Sequence, residues 1–140
     1  MIGALVELSR AQHDPAFLTE AHAIADAALA APALRDAHGI LRETCEPKCG
    51  GDGSQFKGIF VRNLRTLYEA APQPEYRAFV DANAKSIWQG AQEPGKRLGL
   101  MWAAPYGTVN ASTQSSALDA LVTALSISRN LTSASGQPAR

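Results

Sequence analysis

Apolar residues recur along this chain at spacings of three and four, the period of a helix with one buried face. Ile2, Leu5, Val6 and Leu8 mark a first helix over residues 1–12. In "HDPAFLTEAHAIADAALAA" Asp14 is placed to cap, Pro15 to open the helix, and Phe17, Ala21, Ile24 and Ala28 to share one face; the helix runs to about Ala31, ahead of Pro32. A third helix, capped by Ser54, carries Phe56, Ile59, Phe60, Asn63, Leu64 and Leu67 and ends before Pro72. The fourth enters through Pro74 and presents Tyr76, Phe79, Val80, Asn83, Ile87 and Trp88. The fifth, behind a Ser112 or Thr113 cap, presents Ala117, Leu118, Leu121, Val122 and Leu125. It gives way to a small polar segment, so the pattern divides into a helical domain over residues 1–128 and a flexible tail over 129–140. No long alternating strand is present, although "GILRETCE" suits a short extended arm, and the predicted class is all-α.

The connections add a constraint. Helices one and two, and helices three and four, are joined by turns short enough for antiparallel hairpins. The two remaining connections are each longer than about twenty residues, a length that is uncommon in a compact domain unless the loop has a function. In an up-and-down array every second connection lies at the same end, so both long loops are expected on one face, beside the N-termini of helices three and five. Those N-termini favour polar or anionic groups.

Bulk properties remove several classes. The chain has 140 residues, the size of one domain or part of one, with Lys+Arg and Asp+Glu at 13 each, so no positive field draws it to nucleic acid. Its apolar runs are broken too often to span a bilayer, and "MIGALVELSRAQ" lacks the features of a secretory signal. His13, His22 and His38 are scattered without metal-ligand spacing, the serines have no nucleophile-elbow context, and no phosphate-cradling glycine motif occurs. No metal and no cofactor are expected. Cys45 and Cys49 in "CEPKC" could form a small-loop disulfide, remain free thiols, or join His38 or Asp52 in a weak metal cage; the disulfide is the favoured reading.

Candidate chemistry gathers in "GGDGSQFKGIFVRNL". Asp52 reads either as a helix-capping acid or as an acceptor for substrate hydroxyls. Lys57 reads either as a snorkelling lysine or as a functional one, and Arg62 as a partner for an acid. Asn63 and Asn83 fall on apolar faces, where amides usually satisfy each other or nearby backbone. In the second long loop "GLMWAAPYG" displays Trp102 and Tyr106, suited to sugar faces or to core filling, whereas Trp88 fits a helix stripe. Gln55, Thr113, Gln114, Ser115 and Ser116 add neutral hydrogen-bonding groups that suit a polyhydroxylated ligand.

Four ordered stretches, "MIGALVEL", "GDGSQFKGIFVRNL", "NAKSIW" and "STQSSALDAL", resemble the C-terminal half of glycoside hydrolase family 76, the bacterial and fungal α-1,6-mannanases. The resemblance implies part of an (α/α)6 toroid with its groove at one end, and retaining hydrolysis of α-1,6-mannan by an adjacent pair of aspartates in the other half. Here Asp14, Asp26, Asp36, Asp52, Asp81 and Asp119 are nowhere adjacent, so the expected contribution is groove wall without catalytic residues. By resemblance Asp52, Gln55, Lys57 and Gln114 contact sugar hydroxyls and Trp102 stacks on a ring. An exported parent enzyme is implied, in keeping with "CEPKC" and the sequons at Asn110 and Asn130. The implied partners are α-mannan and either the complementary half of the toroid or a second copy. A non-catalytic carbohydrate-binding or scaffold module is the alternative, while a helical-repeat protein is disfavoured because the two hairpins share no pattern.

Overall fold

The computed structural model describes the backbone from residue 1 to 135 and side chains through residue 129. Five α-helices form: α1 (Ile2–Gln12), α2 (Ala16–Ala30), α3 (Phe56–Ala70), α4 (Pro74–Gly90) and α5 (Ala111–Ser135), with short 3-10 turns at Pro32–Leu34 and Gly51–Ser54. Extended pairing among the described residues is limited to isolated bridges, Arg35 with Leu41 and Gln92 with Leu98, so the "GILRETCE" arm reduces to one bridge. The tail expected over residues 129–140 falls partly on the last turns of α5 and partly outside the described residues.

Local chemistry sets the helix ends. His13 takes the left-handed conformation that closes α1, and the Asp14 carboxylate then accepts the Ala16 N–H at 2.9 Å to open α2. At the start of α5 the cap is Asn110 rather than Ser112 or Thr113. The Asn110 side chain accepts the Thr113 N–H at 3.0 Å and the Thr113 hydroxyl accepts the Asn110 N–H at 2.9 Å, a reciprocal capping pair. Ser54 does not cap α3, because the 3-10 turn runs directly into the helix and the Ser54 hydroxyl donates to the Gly51 carbonyl at 3.0 Å.

α3 packs between α1 and α5, while α2 lies behind α1 and α3, and α4 lies behind α3 and α5. This is an inner row of alternate helices backed by an outer row. Long loops 31–55 and 91–110 therefore emerge at one end, as the connection lengths predict. The two amides read as structural do bridge backbone. Asn63 donates to Ile59 O at 2.7 Å and accepts the Gly3 N–H at 3.1 Å, while Asn83 donates to Phe79 O and accepts the Leu41 N–H, both at 2.8 Å.

The inner row approaches closely through small residues, and this reverses several expected burials. Gly58 of α3 donates its N–H to the Ser116 hydroxyl at 3.0 Å, and a Cβ at Gly58 would lie 2.7 Å from Ser116 Cα. The buried face of α5 is Thr113, Ser116, Ala117, Ala120, Thr123 and Ile127. Leu118, Val122 and Leu125 turn outward instead, with Leu125 65% exposed, and Phe56 and Ile59 of α3 are exposed as well. Trp88, expected on a buried helix stripe, is 65% exposed, whereas for loop-borne Trp102 the core-filling alternative holds, at 1% exposed inside the core.

Gly58→Ala should lower stability by about 1–3 kcal/mol from overpacking, against a helix-propensity gain of about 1 kcal/mol. A denaturant midpoint at or above that of the unmodified protein would show that α3 and α5 are not held this close.

Candidate functional site

Lys57 stands in the first turn of α3 with only 2% of its surface exposed. A buried ammonium is costly unless its protons are taken up, and here three neighbours share them. Its Nζ pairs with the Glu46 carboxylate, donates to the Leu100 carbonyl at 2.6 Å, and lies 4.9 Å from the centre of the Trp102 ring. Glu46 belongs to the first long loop, Leu100 and Trp102 to the second. One ammonium thus joins both loops to the helix row.

Each loop is fixed at further points. In the first, Cys45 and Cys49 form a disulfide with an S–S distance of 1.99 Å, enclosing Glu46, and the bridge rests on the Gly51–Ser54 turn at Gly53. The Glu46 carboxylate also accepts the Glu43 N–H at 3.0 Å. In the second, Ser86 donates to Trp102 O at 2.8 Å, Gln114 accepts the Leu98 N–H at 2.7 Å, and Leu100 N–H reaches Thr108 O at 2.8 Å. Gly99 permits the loop to double back, since any Cβ there would collide with the Tyr106 carbonyl.

Charge in this cluster follows burial first. Desolvation lowers the Lys57 pKa, opposed by Glu46 and Glu43. Desolvation raises the Glu43 pKa, opposed by Lys57 and reinforced by Glu46. Glu46 itself is committed to Lys57 and to the Glu43 backbone N–H.

Between the two loops runs a groove of about 330 Å³, with Asp36, Arg42 and Glu46 on one wall and Met101, Ala103 and Ala104 on the other. A second hollow of about 470 Å³ shares Asp36, Ile40, Ala103 and Ala104 with it and adds His38, Lys85, Ser86 and Gln89. Together they form a cleft of the size and mixed polarity that suits a small ligand.

The five residues expected to contact sugar are not gathered in this cleft. Lys57 and Trp102 lie beneath it, so the hydroxyl contact and ring stacking expected of them have no open surface among the described residues; the Trp102 indole N–H is buried without a hydrogen-bond partner. Asp52 and Gln55 are exposed on the Gly51–Ser54 turn and just after it. Gln114 borders a separate hollow with Lys96, Arg97 and Asn110, its carbonyl oxygen already used by Leu98. The cleft residues Asp36, Arg42, Glu46 and Gln89 escaped the sequence reading. Only Glu46 carried a signal, since a lysine at an apolar helix start requires an acid and the adjacent cysteines fix where one lies.

Comparison with known proteins places these features. The model of glycosyl hydrolase family 76 matches residues 1–137. None of the curated proteins matches the sequence significantly. Among solved structures, the Lin0763 protein from Listeria innocua is 30% identical over 92% of this chain and 36% of its own, with a TM-score of 0.79. The α-1,6-mannanase GH76A of Salegentibacter sp. HEL1_6 is 27% identical over 90% of this chain and 38% of its own, with a TM-score of 0.77. An inactive variant of that enzyme, with two consecutive aspartates changed to asparagine and α-1,6-mannotriose bound, is 28% identical over 88% of this chain and 37% of its own, with a TM-score of 0.75. The chain spans little more than a third of the length of these structures. With the family model matched along nearly its whole length, and the fold shared with those structures, the chain belongs to glycosyl hydrolase family 76.

Proposed function

We propose that this chain supplies one wall of the glycan groove of an α-1,6-mannanase-type glycoside hydrolase. The observation that carries the reading is the cleft between the two long loops, at the end of a helix row whose structural relatives bind α-1,6-mannotriose and α-1,6-mannotetrose. Asp36, Arg42, Ser86 and Gln89 offer the mixed donors and acceptors that sugar hydroxyls require, and Ala103 and Ala104 leave room for a pyranose ring. Asp52 and Gln55 would extend the same contacts outward. Hydrolysis with retention needs two carboxylates about 5–5.5 Å apart across one bond, and the chain's aspartates include no adjacent pair. The catalytic acids would come from a complementary part of the toroid. The Cys45–Cys49 disulfide supports an oxidising, extracellular setting for the parent enzyme.

A second reading, a mannan-binding module without hydrolysis, draws on the same cleft and on the dispersed aspartates. Isothermal titration with α-1,6-mannotriose and a reducing-sugar assay on α-1,6-mannan test both. Binding should fall about tenfold in Asp36→Ala and in Gln89→Ala, and no sugar should be released. Affinity unchanged in both variants would remove the cleft from the account, and turnover of glycan by the 140-residue chain would remove the division of labour.

The outward stripe of Leu118, Val122 and Leu125 supports a complementary helical partner packing on α5. Without such a partner the purified chain should self-associate in size-exclusion chromatography, and Val122→Lys with Leu125→Glu should shift it toward monomer. A monodisperse unmodified monomer would argue against a missing partner.

A further inference from the structure

We infer that Glu46 and Lys57 are positioning residues for the cleft and that the Cys45–Cys49 disulfide governs them, so that the thiol state of the first loop sets the conformation of the second. The link to glycan rests on the function proposed above; the coupling between the loops does not.

The chain of contacts is continuous. The disulfide closes a five-residue ring, Cys45 to Cys49, around Glu46, Pro47 and Lys48, and it stands at the surface with Cys45 exposed. Glu46 is the one member of that ring that turns inward, its side chain 7% exposed. Its carboxylate grips Lys57, and Lys57 in turn grips the Leu100 carbonyl and faces Trp102. Met101, Ala103 and Ala104, which flank Trp102, form the opposite wall of the groove that Glu46 lines. Both walls therefore refer to one buried ammonium, and the wall bearing Glu46 is fastened by a bond that a reductant can reach.

Reduction balances simply. A dithiol attacks one sulfur to form a mixed disulfide, its second thiol resolves that intermediate, and Cys45 and Cys49 are left as thiols having gained two electrons and two protons while the reductant leaves as its own disulfide. Glu46 then loses the covalent ring that aims its carboxylate. Lys57 keeps the Leu100 carbonyl but no longer has a fixed counter-charge, and the second loop loses its anchor.

Hydrogen exchange followed by mass spectrometry on the full chain, with and without dithiothreitol, tests this. Reduction should speed exchange by about tenfold in residues 41–48 and also in residues 98–102, with α2 unchanged. In Lys57→Met the second loop should already exchange fast and should no longer respond to dithiothreitol. Glu46→Gln, which keeps the side-chain shape, should behave the same way and serves if the lysine variant does not fold. Three results would overturn the inference: no response in residues 98–102, an undiminished response there in both variants, or loss of protection throughout the helices, which would make the bridge a staple of the whole fold. Titration with α-1,6-mannotriose separates the glycan question. If the sugar binds the oxidised chain, reduction should weaken it about tenfold, and equal affinity in both thiol states would overturn the positioning role. If it binds neither state, the groove reading fails while exchange still decides the coupling.

Discussion

The loop-bearing end of this molecule depends on one buried positive charge. An ammonium withdrawn from water must have its protons accepted, and the interior offers Lys57 two acceptors and one aromatic face. The acceptors come from segments that lie 11 and 43 residues away in sequence, so satisfying the charge requires two long loops to fold onto one helix turn. Chain segments that would otherwise cost conformational entropy to order are thereby held at fixed positions, and the space left between them is a cleft. The cleft is a consequence of how the lysine is solvated by protein.

The helix row makes that convergence possible. Gly58 lies one residue beyond Lys57 and against Ser116, so the N-termini of α3 and α5 are side by side and the loops leading into them leave from neighbouring points. Small side chains accomplish this at the expense of apolar burial. α5 turns threonine, serine and alanine inward and leaves leucine and valine outside.

Helix number, approximate ends and the gathering of both loops at one end were legible in the sequence, because a 3.6-residue period and connector lengths are local properties. The family was legible from four motifs. The buried faces were less so. A helix packed on two sides has no single apolar stripe, so the outward Leu118, Val122 and Leu125 resembled a core while Thr113, Ser116 and Ala120 did the packing. Trp88 was misplaced for a related reason: helical periodicity says which residues share a face, not whether that face is covered. Trp102 could be read as groove or as core, because the contact that accompanies its burial comes from a lysine 45 positions earlier in the chain. Of the expected site, Lys57 proved central in a different role, as a fastening beneath the cleft, and the walls came from residues such as Asp36, Arg42 and Gln89, which no local pattern marks.

A double-mutant cycle on Lys57 and Glu46, read by denaturant unfolding, tests the dependence most directly. Lys57→Met alone and Glu46→Leu alone should each cost about 3–5 kcal/mol, since each strands a buried charge, and the double variant should cost far less than the sum. Two small effects that add within about 0.5 kcal/mol would show that the charge pair does not hold the loops.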